Sequence, residues 1–244
     1  MINGKRTVAV IVAAGKGLRM GGDTPKQYLE LAGRALIMQT LAAFEKSRSV
    51  DDVVIVCPAG DEEYVRDRAA EEGLEKVICI TAGGAERFDS CFAGIKAAFG
   101  DGEQSPGYIM IHDGVRALIT PELIDSTADA MMLHPAVCPG VRAKETIRAV
   151  GPDGIAVSAP ERESLRVIQT PQGFETGLIT EAYDRFFKER ERNPRAADGI
   201  TDDAMLVEKY MQQPVFVAEG SYENIKITTP EDMLLAEAIL KGRE

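Results

Sequence analysis

The stretch VAVIVAAGKGLRMGGDTPKQYLEL, residues 8–31, contains an apolar run that leads directly into a glycine-rich segment. The apolar run begins at Thr7, is rich in β-branched residues and is nearly continuous, which is typical of a parallel strand buried on both faces. Glycine-rich segments after a first strand often surround phosphate, because their backbone N–H groups can approach a ligand closely. The segment also carries two cationic side chains, Arg19 and Lys26. Residues 8–31 therefore predict the first strand and the phosphate loop of an α/β fold.

Strand-like and helical patterns alternate after this loop. Further strands are expected at 52–58, 76–84, 107–113 and 136–141, and helices at 35–47, 61–73, 86–100 and 120–133. This order predicts a Rossmann-like α/β fold with a doubly wound, mainly parallel sheet. The 244 residues are sufficient for one domain, which we expect to span 1–244.

The alternation stops after residue 141. ETIRAVGPDGIAVSAP, residues 145–160, holds two short β-like runs around Gly-Pro-Asp-Gly, which predicts a hairpin without a helical crossover. We expect a protruding β-hairpin arm at about 142–168. A lone two-stranded ribbon is marginally stable in water, so the arm predicts a homodimer. Helices near 175–191 and 201–211, β-like runs at 215–220 and 224–228, and a last helix beginning at Thr229-Pro230 are expected to follow.

The composition restricts the partners and the compartment. The net charge of −11 disfavours a nucleic-acid backbone or an anionic membrane as partner, and no apolar run reaches the 18 residues of a membrane span. The four cysteines are scattered and form no CxxC pair, so we expect neither a disulfide framework nor a zinc site. This cysteine usage favours a reducing, cytoplasmic setting.

Two common nucleotide loops do not fit the glycine-rich segment. A P-loop requires GxxxxGK[ST]; Gly17 and Gly22 have the right spacing, but Asp23 stands where lysine is needed. A dinucleotide fingerprint requires GxGxxG and an acid at the end of the second strand. Here the third glycine, Gly21, is displaced by one position, and the second strand ends in Cys57-Pro58.

Nucleotidyl transfer is the third interpretation of the loop. Arg19 and Lys26 would neutralise charge on the α-phosphate and on departing pyrophosphate. Pro25 stiffens the approach to Lys26, and Asp113 places an acid at the end of the fourth strand. The alternative is a tight strand-to-helix turn whose two cations are merely solvated.

The segment AAGKGLRMGGDTPKQY resembles the signature of sugar-nucleotide cytidylyltransferases, and the wider chain resembles the family of 2-C-methyl-D-erythritol 4-phosphate cytidylyltransferases. Six further stretches carry this resemblance, in the family's order and spacing: GGAERFDSCFAGI (83–95), IHDGVRALI (111–119), KETI (144–147), QTPQGF (169–174), TDDAMLVE (201–208) and ENIKITTPEDMLLAE (223–237). Ribitol-5-phosphate cytidylyltransferases share most of these stretches, so the polyol phosphate that accepts the nucleotide has two candidates.

The resemblance implies roles for individual residues. The cations that would act on the transferred phosphate are Arg19, Lys26 and Lys226. The positions that would bind CTP are Ala13, Ala14, Gly15, Gly17, Gly83, Gly84 and Ser90. The positions that would bind the acceptor are Asp113, Arg116, Thr146, Arg162 and Thr201, of which Thr146 and Arg162 would reach across a dimer. Asp113 would also lie near the metal.

The implied reaction is attack by the acceptor's phosphate oxygen on the α-phosphorus of CTP, with release of pyrophosphate. Mg²⁺ or another divalent cation bridging the triphosphate is the implied cofactor. The chain departs from the family at HDGVRAL, where HDAARP or HDAVRP is common: Gly114 loosens the turn and Ala117 replaces proline. This departure keeps open a further alternative, a non-catalytic nucleotide-binding protein of the same fold.

Overall fold

The computed structural model describes residues 1–15, 24–100 and 105–243. Its strands are β1 (Thr7–Val12), β2 (Glu30–Leu31), β3 (Arg34–Ala35), β4 (Asp52–Cys57), β5 (Val77–Ala82), β6 (Tyr108–Asp113), β7 (Ala136–Arg142), β8 (Ala149–Val150), β9 (Ala156–Ser158), β10 (Arg166–Ile168), β11 (Gln172–Glu175) and β12 (Phe216–Glu219). Its α-helices are α1 (Leu36–Lys46), α2 (Glu62–Glu71), α3 (Arg87–Ala97), α4 (Pro121–Met131), α5 (Thr176–Arg192), α6 (Asp203–Met211) and α7 (Pro230–Lys241).

The central sheet confirms the predicted doubly wound, mainly parallel architecture. Within the described residues its strand order is β10-β7-β11-β6-β1-β4-β5, and β12 pairs with β7 at the side. The pairs β1–β4, β1–β6, β4–β5 and β7–β12 are parallel. The pairs that involve β10 and β11 are antiparallel. The carboxyl ends of β1, β4, β5 and β6 therefore lie at one edge, which is where such sheets place their ligands.

Helices cover both faces of this sheet. In β1, Ala9 and Ile11 pack in the cluster that contains Phe44 of α1 and Leu123 of α4. Val8 and Val10, with the opposite orientation, pack in the cluster built by α3, α5 and α6. Because both faces are buried, the strand contains apolar residues at successive positions, which is why its sequence is continuous rather than alternating.

Two segments differ from the sequence prediction. The run at 224–228 is not a strand; its Ile227 N–H donates to the carbonyl of Val115 while its side chain packs under α7. Conversely, β11 inserts between β6 and β7 although its sequence, QGFE, has little strand character. A Cβ at Gly173 would lie 2.2 Å from the Met131 sulfur, so any other residue there would require the Met131 side chain of α4 to move.

The hairpin arm lies between β7 and β10. Its paired residues, β8 and β9, form a separate two-stranded sheet and are fewer than the stretch 145–160 suggested. The turn uses Gly154 at a φ of +80°. Val150, Ile155 and Val157 are 58–69% exposed on this arm. In the described part of the chain, no helix is long and apolar enough to cross a bilayer.

Candidate active site

A cavity of about 400 Å³ opens at the carboxyl ends of β1 and β6. The lining residues are 12–15, at the end of β1 and just after it, Lys26 and Gln27, residues 84–87, which lead into α3, and Ser90, Asp113, Val115 and Lys226. The cavity thus brings together residues from one end of the chain to the other. Most of the positions that the resemblance assigned to CTP lie here.

The loop after β5 packs tightly against the end of β1. The Gly84 N–H donates to Ser90 Oγ at 3.1 Å, and Ser90 Oγ in turn donates to the Glu86 carbonyl at 3.2 Å. A Cβ at Gly83 would lie 2.3 Å from the Cβ of Ala14. Only glycine fits at this contact, which joins the end of β1 to the loop after β5. The cavity wall that residues 13–15 and 84 form beside this contact is called the glycine slot.

Asp113 lies at the centre of a cationic cluster. Its Oδ2 pairs with Lys226 Nζ at 2.9 Å and lies 3.6 Å from Arg116 Nε, while its Oδ1 lies 3.9 Å from Arg87 Nε. Burial alone would raise the pKa of this carboxyl, but the charges of Lys226, Arg87 and Arg116 lower the pKa well below its usual range. Asp113 is therefore ionised at neutral pH and holds three cations around it.

Arg116 is held by the loop that carries Lys226, between β12 and α7. Arg116 donates from Nη1 to the Asn224 carbonyl at 2.8 Å, which ties the end of β6 to the loop that carries Lys226. Asn224 is buried, and its side-chain amide donates to the Thr170 carbonyl. The Lys226 side chain is 39% exposed and borders the cavity. On its own, Lys226 in a β-like run would have been interpreted as a surface lysine.

Of the other predicted site residues, some line this cavity and others lie elsewhere. Lys26, in a short 3₁₀ helix at Lys26–Tyr28, lines the cavity. Thr146 and Arg162 lie exposed on the arm, and Thr201 lies exposed before α6; none of the three lines this cavity. Arg19 and Gly17 lie outside the described residues.

A second cavity, of about 510 Å³, lies on the other side of Lys226. Arg116, Arg142 and Lys144 contribute cationic groups to its wall. Lys144 Nζ lies 4.0 Å from the centre of the Tyr222 ring, whose hydroxyl donates to the Arg142 carbonyl. Glu145 adds a carboxylate, and apolar residues that include Val141, Ile147 and Val167 complete the wall.

Sequence reasoning did not identify Arg87, although it lies in the quoted stretch GGAERFDSCFAGI. Arg87 lines the first cavity and forms a bidentate ion pair with the buried carboxylate of Asp203. The partners are 116 residues apart. In sequence Asp203 is an ordinary acid in the first turn of a helix, so no local pattern could have identified the pair.

The described residues contain no group of three or more His, Cys, Asp or Glu side chains able to hold a metal ion. Asp113, the one candidate ligand, is already surrounded by Lys226, Arg116 and Arg87. Its surroundings do not fit a resident Mg²⁺ site. Any metal would be held chiefly by substrate phosphates, which is how Mg²⁺ commonly binds in phosphoryl-transfer sites.

The burial of His112, next to Asp113, predicts that the folded protein loses stability as the pH falls. The ring is fully buried, and burial lowers the pKa of His112 to about 3. Its Nδ1 shares a hydrogen bond of 2.9 Å with Thr170 Oγ1. In the unfolded chain the ring titrates with a pKa near 6.5, so the unfolded state binds an extra proton below that pH and stability falls as the pH drops.

We expect the free energy of unfolding to fall by about 2 kcal/mol between pH 7 and pH 5 because of His112 alone. Urea denaturation at the two pH values measures this loss, and His112→Gln should remove most of it. Equal pH dependence in the wild type and the variant would contradict the assignment. His134, which is only partly buried, provides the matched control as His134→Gln.

Comparison with known proteins agrees with this geometry. The IspD family model, described as 2-C-methyl-D-erythritol 4-phosphate cytidylyltransferase, matches residues 7–242. The enzyme of that name from Lachnospira eligens is 39% identical over 234 residues, covering 96% of this chain and 99% of that protein. The one from Geobacter metallireducens is 42% identical over 236 residues, covering 96% of this chain and 97% of that protein.

Solved structures show the same relation. The crystal structure of 4-diphosphocytidyl-2C-methyl-D-erythritol synthase from Anaerococcus prevotii superposes with a TM-score of 0.84 at 32% identity, over 98% of both chains. The 2-C-methyl-D-erythritol 4-phosphate cytidylyltransferase from Thermus thermophilus gives a TM-score of 0.72 at 29% identity, over 95% of this chain and 98% of that one. Sequence and structure agree along nearly the whole length, and the chain belongs to the family of 2-C-methyl-D-erythritol 4-phosphate cytidylyltransferases.

Proposed function

We propose that the chain catalyses cytidylyl transfer from CTP to 2-C-methyl-D-erythritol 4-phosphate, which yields 4-diphosphocytidyl-2-C-methyl-D-erythritol and pyrophosphate. This is the activity of the family to which the chain belongs, a step of the non-mevalonate route to isoprenoids. The observation that carries the proposal is the convergence of Lys26, Asp113 and Lys226 on one cavity beside the glycine slot. These are the groups that such a transfer needs.

The chemistry requires charge neutralisation more than proton transfer. The attacking group is a phosphate oxygen, which is already ionised at neutral pH, so no general base has to activate it. The obstacle is that two anions must meet, and fixed cations that face the developing charge lower this barrier. Lys226, between the two cavities, contacts both reactants in this proposal. Lys26, and Arg19 outside the described residues, act on the triphosphate.

The glycine slot is proposed to bind the nucleotide. Ser90 Oγ, which already donates to Glu86 and accepts from Gly84, fixes the slot's far end. The acceptor then occupies the second cavity, where Arg116 faces its polar groups. Asp113 pairs with Lys226, which borders both cavities, so in this proposal it orders the cations between the two ligands and accepts a hydrogen bond from a hydroxyl of the acceptor.

We propose that Mg²⁺ accompanies CTP instead of residing in the protein. A divalent ion on the triphosphate neutralises charge on the departing pyrophosphate. The chain's own contribution is to present Lys26 and Lys226 and to keep Asp113 ionised at neutral pH. We also assign the protein to a reducing, cytoplasmic compartment, which the four free cysteines support.

The direct test is pyrophosphate release from CTP with purified protein and Mg²⁺. Two acceptors are compared, 2-C-methyl-D-erythritol 4-phosphate and ribitol 5-phosphate, and ATP, GTP and UTP replace CTP in parallel reactions. We expect release with CTP and the methylerythritol phosphate. Release with ribitol phosphate alone would move the assignment to the other acceptor, and no release with either would leave a nucleotide-binding protein without this activity.

We further propose that the active form is a homodimer joined by the arm, so that Thr146 and Arg162 serve the partner's site. The exposed apolar residues of the arm support this, since Ile155 and Val157 have no covering element among the described residues of one chain. Ile155→Asp combined with Val157→Asp should convert the dimer into a monomer. The activity should fall about tenfold or more if the arm completes the acceptor site.

Light scattering at the assay concentration measures the change in mass, and steady-state kinetics measures the change in activity. Met132→Asp combined with Leu133→Asp places the same two charges at exposed apolar residues that follow α4, and should leave both properties unchanged. A wild-type protein that is monomeric at working concentration would refute the dimer. A monomeric variant with full activity would show that Thr146 and Arg162 do not act across the interface.

A further inference from the structure

A buried carboxylate outside the cavity is connected to its centre through one arginine. Asp203, the first residue of α6, has a side chain with no solvent exposure. Arg87 donates to Asp203 from both terminal nitrogens, at 3.1 and 2.5 Å, and Tyr183 donates to Asp203 from its hydroxyl at 2.5 Å. Both carboxylate oxygens are therefore engaged, and the guanidinium has a single orientation.

This orientation determines how Arg87 meets Asp113. Both terminal nitrogens of Arg87 are on Asp203, and Nε lies 3.9 Å from Asp113 Oδ1. That distance is an electrostatic contact but is longer than a hydrogen bond. Lys226 pairs with the other oxygen, Oδ2, at 2.9 Å. Asp113 consequently keeps Oδ1 able to accept a hydrogen bond from a ligand.

The scaffold around Asp203 resists movement. The backbone N–H groups of Asp203 and Ala204 donate to Gln172 Oε1 at 3.1 and 3.0 Å. These hydrogen bonds join the start of α6 to β11. Gln172 Nε2 donates to Asp202, the N-cap of α6. Since β11 pairs with β6, whose last residue is Asp113, the carboxylate that holds Arg87 is fixed to the same sheet as the group that Arg87 faces.

We infer that Asp203 is a positioning residue for acceptor binding: by holding Arg87 it prevents the guanidinium from closing onto Asp113 and occupying the oxygen that the acceptor needs. The inference rests on the proposed function, which assigns Asp113 to the acceptor. Without Asp203, an unpaired and largely buried arginine next to a carboxylate would close the gap from 3.9 Å to hydrogen-bond distance. Oδ1 would then be lost to the substrate.

The test compares Asp203→Asn with the double variant Asp203→Asn/Arg87→Gln in steady-state kinetics. We expect Asp203→Asn to raise KM for 2-C-methyl-D-erythritol 4-phosphate about tenfold while KM for CTP stays within twofold. The double variant, which lacks the competing cation, should restore KM for the acceptor to within threefold of the wild type. A residue that served only folding would give a double variant as poor as the single one, and that result would overturn the inference.

Further variants keep the test decisive. Tyr183→Phe removes one hydrogen bond to Asp203 but leaves the bidentate pair between Asp203 and Arg87 in place, so it should keep KM for the acceptor within twofold of the wild type. If Asp203→Asn does not fold, Asp203→Glu, which keeps the charge but displaces the carboxylate by one methylene, and its combination with Arg87→Gln provide the comparison. Arg190→Gln breaks the ion pairs of Arg190 with Glu86 and Asp89 at the start of α3. It is the control for a general loss of rigidity in this region. It should leave KM for the acceptor unchanged.

A crystal structure of Asp203→Asn without ligands gives a readout that does not depend on activity. The distance from Arg87 Nε to Asp113 Oδ1 should shorten to a hydrogen bond, and an unchanged separation would refute the inference. If the wild type transfers no cytidylyl group, the proposed function fails, whereas this distance still decides whether Asp203 restrains Arg87.

Discussion

Replacing Lys226 with alanine should lower kcat for cytidylyl transfer by about 10²–10³-fold, equivalent to about 2.7–4 kcal/mol of transition-state stabilisation. Lys226 Nζ lies 2.9 Å from Asp113 and borders both cavities. It is thus already oriented when two anionic reactants meet, and this fixed orientation is what water cannot provide. Binding of CTP alone should weaken far less, because Lys26 remains at the triphosphate.

The fold should tolerate this change. Asp113 keeps Arg116 at 3.6 Å and Arg87 at 3.9 Å, so the carboxylate is not left buried and unpaired. Thermal unfolding should confirm a folded variant, and steady-state kinetics should show a reduced kcat. Lys226→Arg retains charge but replaces a compact ammonium with a planar fork, and we expect intermediate activity.

Lys241→Ala is the matched control, since Lys241 lies exposed in the last turn of α7. It should have wild-type kinetics. If Lys226→Ala kept activity within about threefold of the wild type, Lys226 would not face the transferred phosphate, and the cationic cluster would serve only to hold Asp113. Pyrophosphate release with saturating CTP and acceptor distinguishes these outcomes.

The parallel core of the fold could be predicted because burial on both faces leaves a direct signature. β1, β4 and β6 are continuous apolar runs, and each was expected within one or two residues of its observed ends. The antiparallel strand β11 could not be predicted, since it is held by pairing with β6 and β7 and its sequence, QGFE, has little strand propensity. The segment 224–228 was expected to be β-like but is not a strand: its apolar residues pack under α7 without joining the sheet.

The same distinction separates the site residues that could be predicted from those that could not. Residues at strand ends, such as Asp113, were predicted because chain direction in a parallel sheet places them together. Lys26 was predicted from its glycine-rich neighbourhood. Arg87 and Asp203 were not predicted, because an ion pair between residues 116 positions apart depends on how α6 packs against α3.

The glycine slot gives the second large effect. Gly83→Ala should lower kcat/KM for CTP by about 100-fold, since displacing reacting groups by about 1 Å has that consequence. The new Cβ would lie 2.3 Å from Ala14 Cβ and 2.7 Å from Ser90 Oγ, so the end of β1 and the loop after β5 must separate. Forcing an extra methyl into such a contact also costs about 1–3 kcal/mol of stability.

A compensating change distinguishes a local clash from general damage. Ala14→Gly removes the nearer of the two atoms, so the double variant Ala14→Gly/Gly83→Ala should recover part, but not all, of the affinity for CTP, because Ser90 Oγ still obstructs. Gly177→Ala, on α5 with open space around the new methyl, is the matched control and should bind CTP normally. Calorimetric titration with CTP measures all three. Normal CTP affinity in Gly83→Ala would mean that the glycine slot does not hold the nucleotide, and the base would have to bind elsewhere along the cavity.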